Sequence, residues 1–103
     1  MQKNKQQTRI MPIDDVERII KQVVLKKGYQ LSEIKSESTV SRYYKISSGQ
    51  YELAFRVSDH GTRRNLMTLR IDHKMSPQNI ESFAVNRCKD LGDRIIRQAL
   101  GII

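Results

Sequence analysis

The pattern that most constrains this chain is an alternation of apolar and polar residues over residues 51–58. The apolar side consists of Tyr51, Leu53, Phe55 and Val57, and the residues between them are Glu52, Ala54, Arg56 and Ser58. A period of two residues is typical of a β-strand that buries one face. The rest of the chain must therefore supply neighbouring strands and a layer that covers the apolar face.

Strand-forming runs lie on both sides of this segment and predict a small sheet. Residues 39–46 are rich in β-branched and aromatic types, and the alternation of residues 66–72 places Met67, Leu69 and Ile71 on one side. Gly49 lies in a short polar stretch that favours a hairpin turn between the first two strands. The sequence thus predicts a three-stranded antiparallel meander, while residues 31–35 could either begin the first strand or form a connection.

Two amphipathic helices flank the predicted strands. The first is predicted at residues 13–27, because Pro12 suits a helix start and Gly28 suits a helix end. The second is predicted at Pro77–Ala99, since the Ser76 hydroxyl can accept a hydrogen bond from the first turn. Its buried stripe is expected to contain Ile80, Ala84, Cys88, Leu91, Ile95 and Ala99, broadened by Phe83 and Ile96, with Arg87, Arg94 and Arg97 projecting from the flanks.

The expected fold class is α+β, with the order helix, three strands, helix (αβββα). In the first strand we expect Val40, Tyr44 and Ile46 to face inward and Ser41, Tyr43 and Lys45 to face outward. If both helices cover the apolar face, the other face is basic and solvent-exposed. We expect it to present Arg56, Arg70, Ser58, Thr68 and either Lys45 or Arg42.

The length of 103 residues and the hydrophobic content of 38% suit one domain with a modest core. We expect that domain at residues 11–103, after a flexible basic arm at residues 1–10. No apolar run has the length of a membrane span or the character of a signal peptide, so a cytoplasmic protein without a membrane partner is expected. Cys88, the single cysteine, is expected to be a small core residue.

The formal net charge is +8. Such a surplus on a small domain attracts polyanions, which predicts nucleic acid or a nucleoprotein as partner. Two other interpretations remain open, namely that the charge keeps a small protein soluble or that it complements an acidic protein.

Two Asp-His pairs, Asp59-His60 and Asp72-His73, raise the question of a metal or nuclease site. In an antiparallel meander they would leave the sheet at opposite ends, roughly 20 Å apart, and each would act in a turn. No phosphate-binding glycine loop or nucleophile elbow is present. We therefore expect no enzyme, no metal and no cofactor.

Arginines provide the better candidate site. Arg63 and Arg64 lie in the polar loop at residues 61–65 and could bind phosphate or carboxylate bidentately, or could be solvated charges without a partner. Tyr43, Arg56 and Arg70 would extend this patch across the sheet if the register allows. Together with Arg42, these residues are the predicted partner-binding set.

The element order resembles the double-stranded RNA-binding domain, but residues 76–81 lack the lysine cluster with which that family grips phosphates. The segments 41–44, 49–53 and 55–60, ending in Arg-Val-Ser-Asp-His, resemble a hairpin in small proteins of Gram-positive phages and mobile elements. Some type II-A anti-CRISPR proteins, which disable the RNA-guided nuclease Cas9, are similar there. The resemblance implies a host-defence antagonist that binds the nuclease or its guide RNA.

Three functional hypotheses result. The first is a non-enzymatic anti-CRISPR protein that acts on Cas9 through a basic surface. The alternative is a freestanding, basic nucleic-acid-binding regulator, and a second alternative is a ribonuclease-like toxin that uses His60 or His73.

Overall fold

The computed structural model describes residues 11–35, 41–58, 67–71 and 75–101. In chain order its elements are α1 (Ile13–Lys26), β1 (Gln30–Ile34), β2 (Ser41–Ser48), β3 (Tyr51–Ser58), β4 (Met67–Arg70) and α2 (Pro77–Ala99). The predicted α+β class is confirmed. The arm predicted at residues 1–10 lies outside the described residues.

Helix α1 ends in a hydrogen-bonded glycine cap. Gly28 has a φ of 87°, and its amide donates to the Leu25 carbonyl at 3.0 Å. The Tyr29 amide donates to the Val24 carbonyl at 3.1 Å. This pair of bonds is the Schellman arrangement, in which a left-handed residue satisfies the last carbonyls of a helix. The sequence-based helix end is confirmed to within one residue.

Helix α2 begins with the predicted serine cap and has the predicted bounds. The Ser76 hydroxyl accepts a hydrogen bond from the Asn79 amide at 3.2 Å, and Pro77 occupies the first helical position. The helix continues through Gly92 without a break.

The sheet has the strand order β1-β2-β3-β4. Strands β1, β2 and β3 are antiparallel neighbours, with Leu31 opposite Ile46 and Tyr44 opposite Phe55. Residues 31–34 therefore belong to a strand of their own, and Gly49, with a φ of 59°, lies in the turn of the β2-β3 hairpin.

Strand β4 runs parallel to β3, which contradicts the prediction. Val57 is paired with Leu69 and Ser58 with Arg70, and the Ile71 amide donates to the Ser58 carbonyl at 2.8 Å. The three-stranded antiparallel meander is therefore wrong in strand number and in the direction of β4. Alternation determines which side chains share a face, but it carries no information on strand direction.

Both helices cover the same face of the sheet, where the hydrophobic core lies. Strand residues in the core alternate along each strand, as the sequence predicts for Tyr44 and Ile46. The Phe55 ring is central to this layer: its centroid lies 5.3 Å from that of Tyr44 and 5.5 Å from that of Phe83. The buried hydrophobic residues are Val16, Ile20, Val24, Tyr44, Ile46, Phe55, Val57, Leu69, Ile71, Ile80, Ala84, Cys88 and Leu91.

The last turns of α2 extend past this core. Its buried positions end at Leu91, and Ile96 and Leu100 are 57% and 68% exposed. The expectation that the apolar stripe is buried as far as Ala99 is therefore wrong for Ile96 and Ala99, whereas Ile95 is partly buried and packs against the core. The Arg94 guanidinium holds this part of the helix by donating to the Glu52 carbonyl at 2.7 Å.

Arg87 is buried rather than projecting from the flank of α2. Its guanidinium carbon lies 5.1 Å from the centroid of the Phe83 ring, and it forms an ion pair with Asp90 at 2.9 Å. The ring face and the carboxylate compensate in part for the water that this arginine loses on burial, while its buried Nε has no hydrogen-bond partner in the described part of the chain.

Candidate functional site

The face of the sheet opposite the helices, called here the helix-free face, carries the polar residues of the strand alternation. Neither α1 nor α2 contributes to it. Its residues are Gln30, Ser32 and Ile34 of β1, Ser41, Tyr43, Lys45 and Ser47 of β2, Glu52, Ala54, Arg56 and Ser58 of β3, and Thr68 and Arg70 of β4.

Two adjacent cross-strand rows bring the predicted site residues together on this face. In one row Arg56 lies between Tyr43 and Thr68. In the next row Ser58 lies between Ser41 and Arg70. Directly opposed side chains in a sheet are about 5 Å apart at their Cβ atoms, so these six residues form one continuous patch.

The members of this patch differ in their exposure. Arg56 is only 5% exposed and Ser58 is fully buried, whereas Arg70 is exposed and Tyr43 is half-buried. The Ser41 hydroxyl donates to the Ser58 hydroxyl at 2.8 Å, which fixes both side chains. Arg70 and Tyr43 are therefore the accessible residues of these two rows, whereas Arg56 and Ser58 are shielded from a ligand.

The electrostatic balance of the helix-free face is positive. Its described residues include three cations, Lys45, Arg56 and Arg70, and a single carboxylate, Glu52. The Lys45 ammonium and the Glu52 carboxylate lie 3.2 Å apart in a partly exposed ion pair. Such a pair is weak in water, so an anionic ligand can compete for Lys45.

Arg42 lies on the helix-covered side of β2, so Lys45, not Arg42, belongs to the helix-free face. Its guanidinium pairs with Asp14 at 2.8 Å and with Glu17 at 2.9 Å. The hydrogen bond with Asp14 is the main reason why the pKa of Arg42 is raised above its usual value. The alternation could have shown this placement, because Arg42 and the inward-facing Tyr44 are two residues apart.

Glu17 was not recognised from the sequence as a tertiary contact. A single carboxylate oxygen of Glu17 accepts two hydrogen bonds, one from the Arg42 guanidinium and one from the Tyr44 hydroxyl, each at 2.9 Å. Burial is the main reason why the pKa of Tyr44 is raised above its usual value, and the hydrogen bond to Glu17 is the second reason. This group of residues connects α1 to β2 and has a structural role.

The loop at residues 61–65, with Arg63 and Arg64, lies outside the described residues, as do both Asp-His pairs. Their predicted roles therefore stay predictions. The expected separation of the two Asp-His pairs assumed that β3 and β4 are antiparallel, and this premise is wrong. These strands are parallel, with Ser58 opposite Arg70.

The described segments also bear on metal binding, membrane insertion and thiol chemistry. Residues 11–35, 41–58, 67–71 and 75–101 contain no group of three or more His, Cys, Asp or Glu side chains that could hold a metal ion. No helix within these segments is both long and apolar enough to span a bilayer. Cys88 is buried in the core as predicted, and burial raises the pKa of its thiol, which disfavours the reactive thiolate.

Comparisons with protein-family models, curated proteins and solved structures find no match to this chain. The kind of protein can therefore be described only from its fold and its surface. It is a small, basic α+β protein whose two helices cover one face of a four-stranded mixed sheet and whose other face is polar and positively charged.

Proposed function

We propose that this protein binds single-stranded nucleic acid, in particular RNA, through the helix-free face, and that it does so without catalysing a reaction. The observation that supports this most directly is the position of Tyr43 and Arg70 in adjacent rows of one face, with Lys45 further along β2. An accessible aromatic ring can stack on an unpaired base while accessible cations of the same sheet face contact phosphates.

The accessible cations of this face suit contacts with the phosphates of a nucleic acid. The exposed guanidinium of Arg70 suits bidentate contact with a phosphate. The Lys45 ammonium can exchange Glu52 for a second phosphate, since their ion pair is partly exposed.

Binding to labelled oligouridylate RNA and oligothymidylate DNA, measured by fluorescence anisotropy over a range of salt concentrations, tests the proposal. Arg70→Ala should reduce the slope of log affinity against log salt concentration by about 0.7, the value for one lost phosphate contact on a single strand. Tyr43→Ala should cost about 1 to 3 kcal/mol of binding free energy through lost stacking.

Arg97→Ala is the matched control, because Arg97 is an exposed arginine on α2. It changes the net charge by the same amount as Arg70→Ala and should leave most of the affinity intact. If Arg97→Ala and Arg70→Ala weaken binding equally, or if affinity does not depend on salt, the assignment to the helix-free face is overturned.

A narrower form of this proposal takes the nucleic acid to be the guide RNA of Cas9 and the protein to be an anti-CRISPR protein. It is supported by the resemblance of residues 41–60, which include the β2-β3 hairpin and contribute Tyr43, Lys45 and Arg56 to the helix-free face. DNA cleavage by purified type II-A Cas9 with its guide should fall as the protein is added. Full cleavage at excess protein, with several Cas9 orthologues, would reject this form alone.

The alternative, a freestanding nucleic-acid-binding regulator, is distinguished by the same two assays. It requires tight binding to bare RNA or DNA and no effect on Cas9 cleavage.

A further inference from the structure

Charge is unevenly distributed across the helix-free face. The three residues that β1 contributes to it, Gln30, Ser32 and Ile34, are uncharged and exposed. The charged residues that the structure describes on this face all belong to the other strands: Lys45 on β2, Glu52 and Arg56 on β3, and Arg70 on β4. The face therefore has an uncharged edge at β1 and a charged part over β2 to β4.

Ile34 is the residue of this edge that the hydrophobic core does not explain. It is 41% exposed, whereas the other exposed large hydrophobic residues of the described segments lie on the helices or at the end of α2. Ile34 is directly opposite the half-buried Tyr43. Directly opposed residues have Cβ atoms about 5 Å apart, so the two side chains form one apolar platform on the helix-free face.

Polar groups lie next to this platform. Ser32 precedes Ile34 by two residues on the same strand and the same face, which is about 7 Å along β1. Neither Ser32 nor Gln30 forms a side-chain hydrogen bond within the described part of the chain. A hydroxyl and an amide can both donate and accept hydrogen bonds. They therefore suit the edge of a nucleobase, which carries both kinds of group, better than a phosphate, which only accepts.

We propose that β1 is the base-binding edge of the helix-free face. An unpaired base packs on Ile34 and Tyr43, the Ser32 hydroxyl bonds to the polar edge of this base, and the phosphates of the same strand lie over Lys45 and Arg70. This inference rests on the proposed function and adds to it a subsite for the base.

The dimensions of the sheet allow this division of contacts. From β1 to β4 there are three strand spacings, which together amount to about 14 Å. A four-stranded sheet accommodates about two or three unpaired bases. A single strand that crosses the sheet can therefore place a base at the β1 edge and a phosphate at Arg70 on β4.

Two RNA probes of equal length separate the base contacts from the phosphate contacts. One is oligouridylate, and the other is an abasic oligomer with the same sugar-phosphate backbone and no bases. Fluorescence anisotropy at constant salt concentration measures the affinity for each. The wild-type protein should bind oligouridylate at least about fivefold more tightly than the abasic oligomer, the lower limit expected for stacking of one base.

Variants assign this ratio of affinities to residues. Ile34→Ala should lower the ratio about threefold or more, because apolar surface beside the base is lost, and should leave the salt dependence unchanged. Ser32→Ala should lower it roughly two- to tenfold through one lost hydrogen bond. Arg70→Ala should weaken the binding of both probes by the same factor, because it removes a phosphate contact that the two probes share.

Ile96→Ala and Ser82→Ala are the matched controls, since they make the same changes at exposed positions of α2 and should keep the wild-type ratio. Because Ile34 is exposed, Ile34→Ala should keep the circular dichroism spectrum of the wild type. Equal binding of the two probes by the wild type overturns the base subsite and leaves the phosphate contacts of the proposed function standing. Binding of neither probe overturns both. A wild-type ratio in both Ile34→Ala and Ser32→Ala overturns the assignment of the subsite to β1.

Discussion

Arg42 and Tyr44 donate hydrogen bonds to the same carboxylate oxygen of Glu17, each at 2.9 Å. These two strand residues face the helices, so the shared oxygen joins β2 to α1 at the edge of the core. Arg42, one of the residues predicted to bind a partner, is part of this structural link between the two layers.

The first prediction concerns this link. Glu17→Ala should lower the free energy of unfolding by about 1 to 3 kcal/mol, because it leaves the buried Tyr44 hydroxyl without its acceptor and removes a charged partner of Arg42. Asp14→Ala should cost less than about 0.5 kcal/mol, since the Asp14 side chain is 80% exposed. Urea denaturation measures both, and equal losses would contradict the role assigned to Glu17.

The second prediction is a pH dependence of stability. Burial and the bond to Glu17 raise the pKa of Tyr44 above its usual 10.0, so the folded protein keeps this proton at a pH where the unfolded chain loses it. The stabilisation is therefore complete below the usual tyrosine pKa and is lost as pH rises above it. The free energy of unfolding of the wild type should fall more steeply between about pH 9 and 11 than that of Tyr44→Phe. Parallel curves for the two proteins would argue against it.

The third prediction concerns the ion pair on the helix-free face. Glu52→Gln removes the one carboxylate among the described residues of that face and releases Lys45. Oligouridylate should then bind roughly two- to threefold more tightly, as expected for one weak surface pair. Glu81→Gln makes the same charge change at an exposed position of α2 and should have little effect. Fluorescence anisotropy at constant salt compares them.

The fourth prediction concerns the start of α2. Ser76→Ala should destabilise the protein by about 1 kcal/mol, because the Asn79 amide loses its acceptor. Ser82→Ala, at an exposed position inside the same helix, should be neutral or slightly stabilising, since alanine is the better helix former. Thermal unfolding followed by circular dichroism distinguishes the two, and a Ser82→Ala variant as unstable as Ser76→Ala would contradict the cap.

The fifth prediction contrasts two glycines. Gly28→Ala should cost about 1 kcal/mol, because the φ of 87° is unfavourable for a residue with a Cβ atom. Gly92→Ala should raise the free energy of unfolding by up to about 1 kcal/mol, since Gly92 lies within a helix. A Cβ atom there would lie 3.4 Å from the Tyr29 hydroxyl, an acceptable contact. Chemical denaturation tests both predictions, and a Gly92→Ala variant less stable than the wild type would contradict the second.

The helices could be predicted from the sequence because their signals are local. Ser76 and Gly28 act on amides and carbonyls a few residues away, so the residues that end each helix are visible in the sequence itself. The same holds for the inward set of β2 and β3, where burial on one face imposes a period of two residues.

Strand pairing could not be predicted in the same way. Val57 opposite Leu69 satisfies the alternation whether β4 is parallel or antiparallel, so side-chain pattern does not decide direction. Strand β1 was uncertain for another reason: it lies at the sheet edge, where only Leu31 is partly buried, so its residues show little alternation.

The candidate site was predicted in part. Placing Tyr43, Arg56 and Arg70 on one face required only the period of two residues in each strand. The burial of Arg56 could not be read from the sequence, because it depends on how the rows pack in three dimensions. Glu17 and Arg42 are 25 residues apart in the chain, and no local pattern connects them.

The parallel direction of β4 has a consequence for how the chain folds. Strands β1 and β2 each pair with the next strand in the chain in antiparallel order, so β1, β2 and β3 can form by extension from their turns. Strand β4 is parallel to β3, so its pairing requires the chain to reverse direction twice and forms less readily. We expect β4 to dock late and to open first, so that the Ile71 amide, which is bonded to the Ser58 carbonyl, exchanges its hydrogen with solvent sooner than the amides of the β2-β3 hairpin.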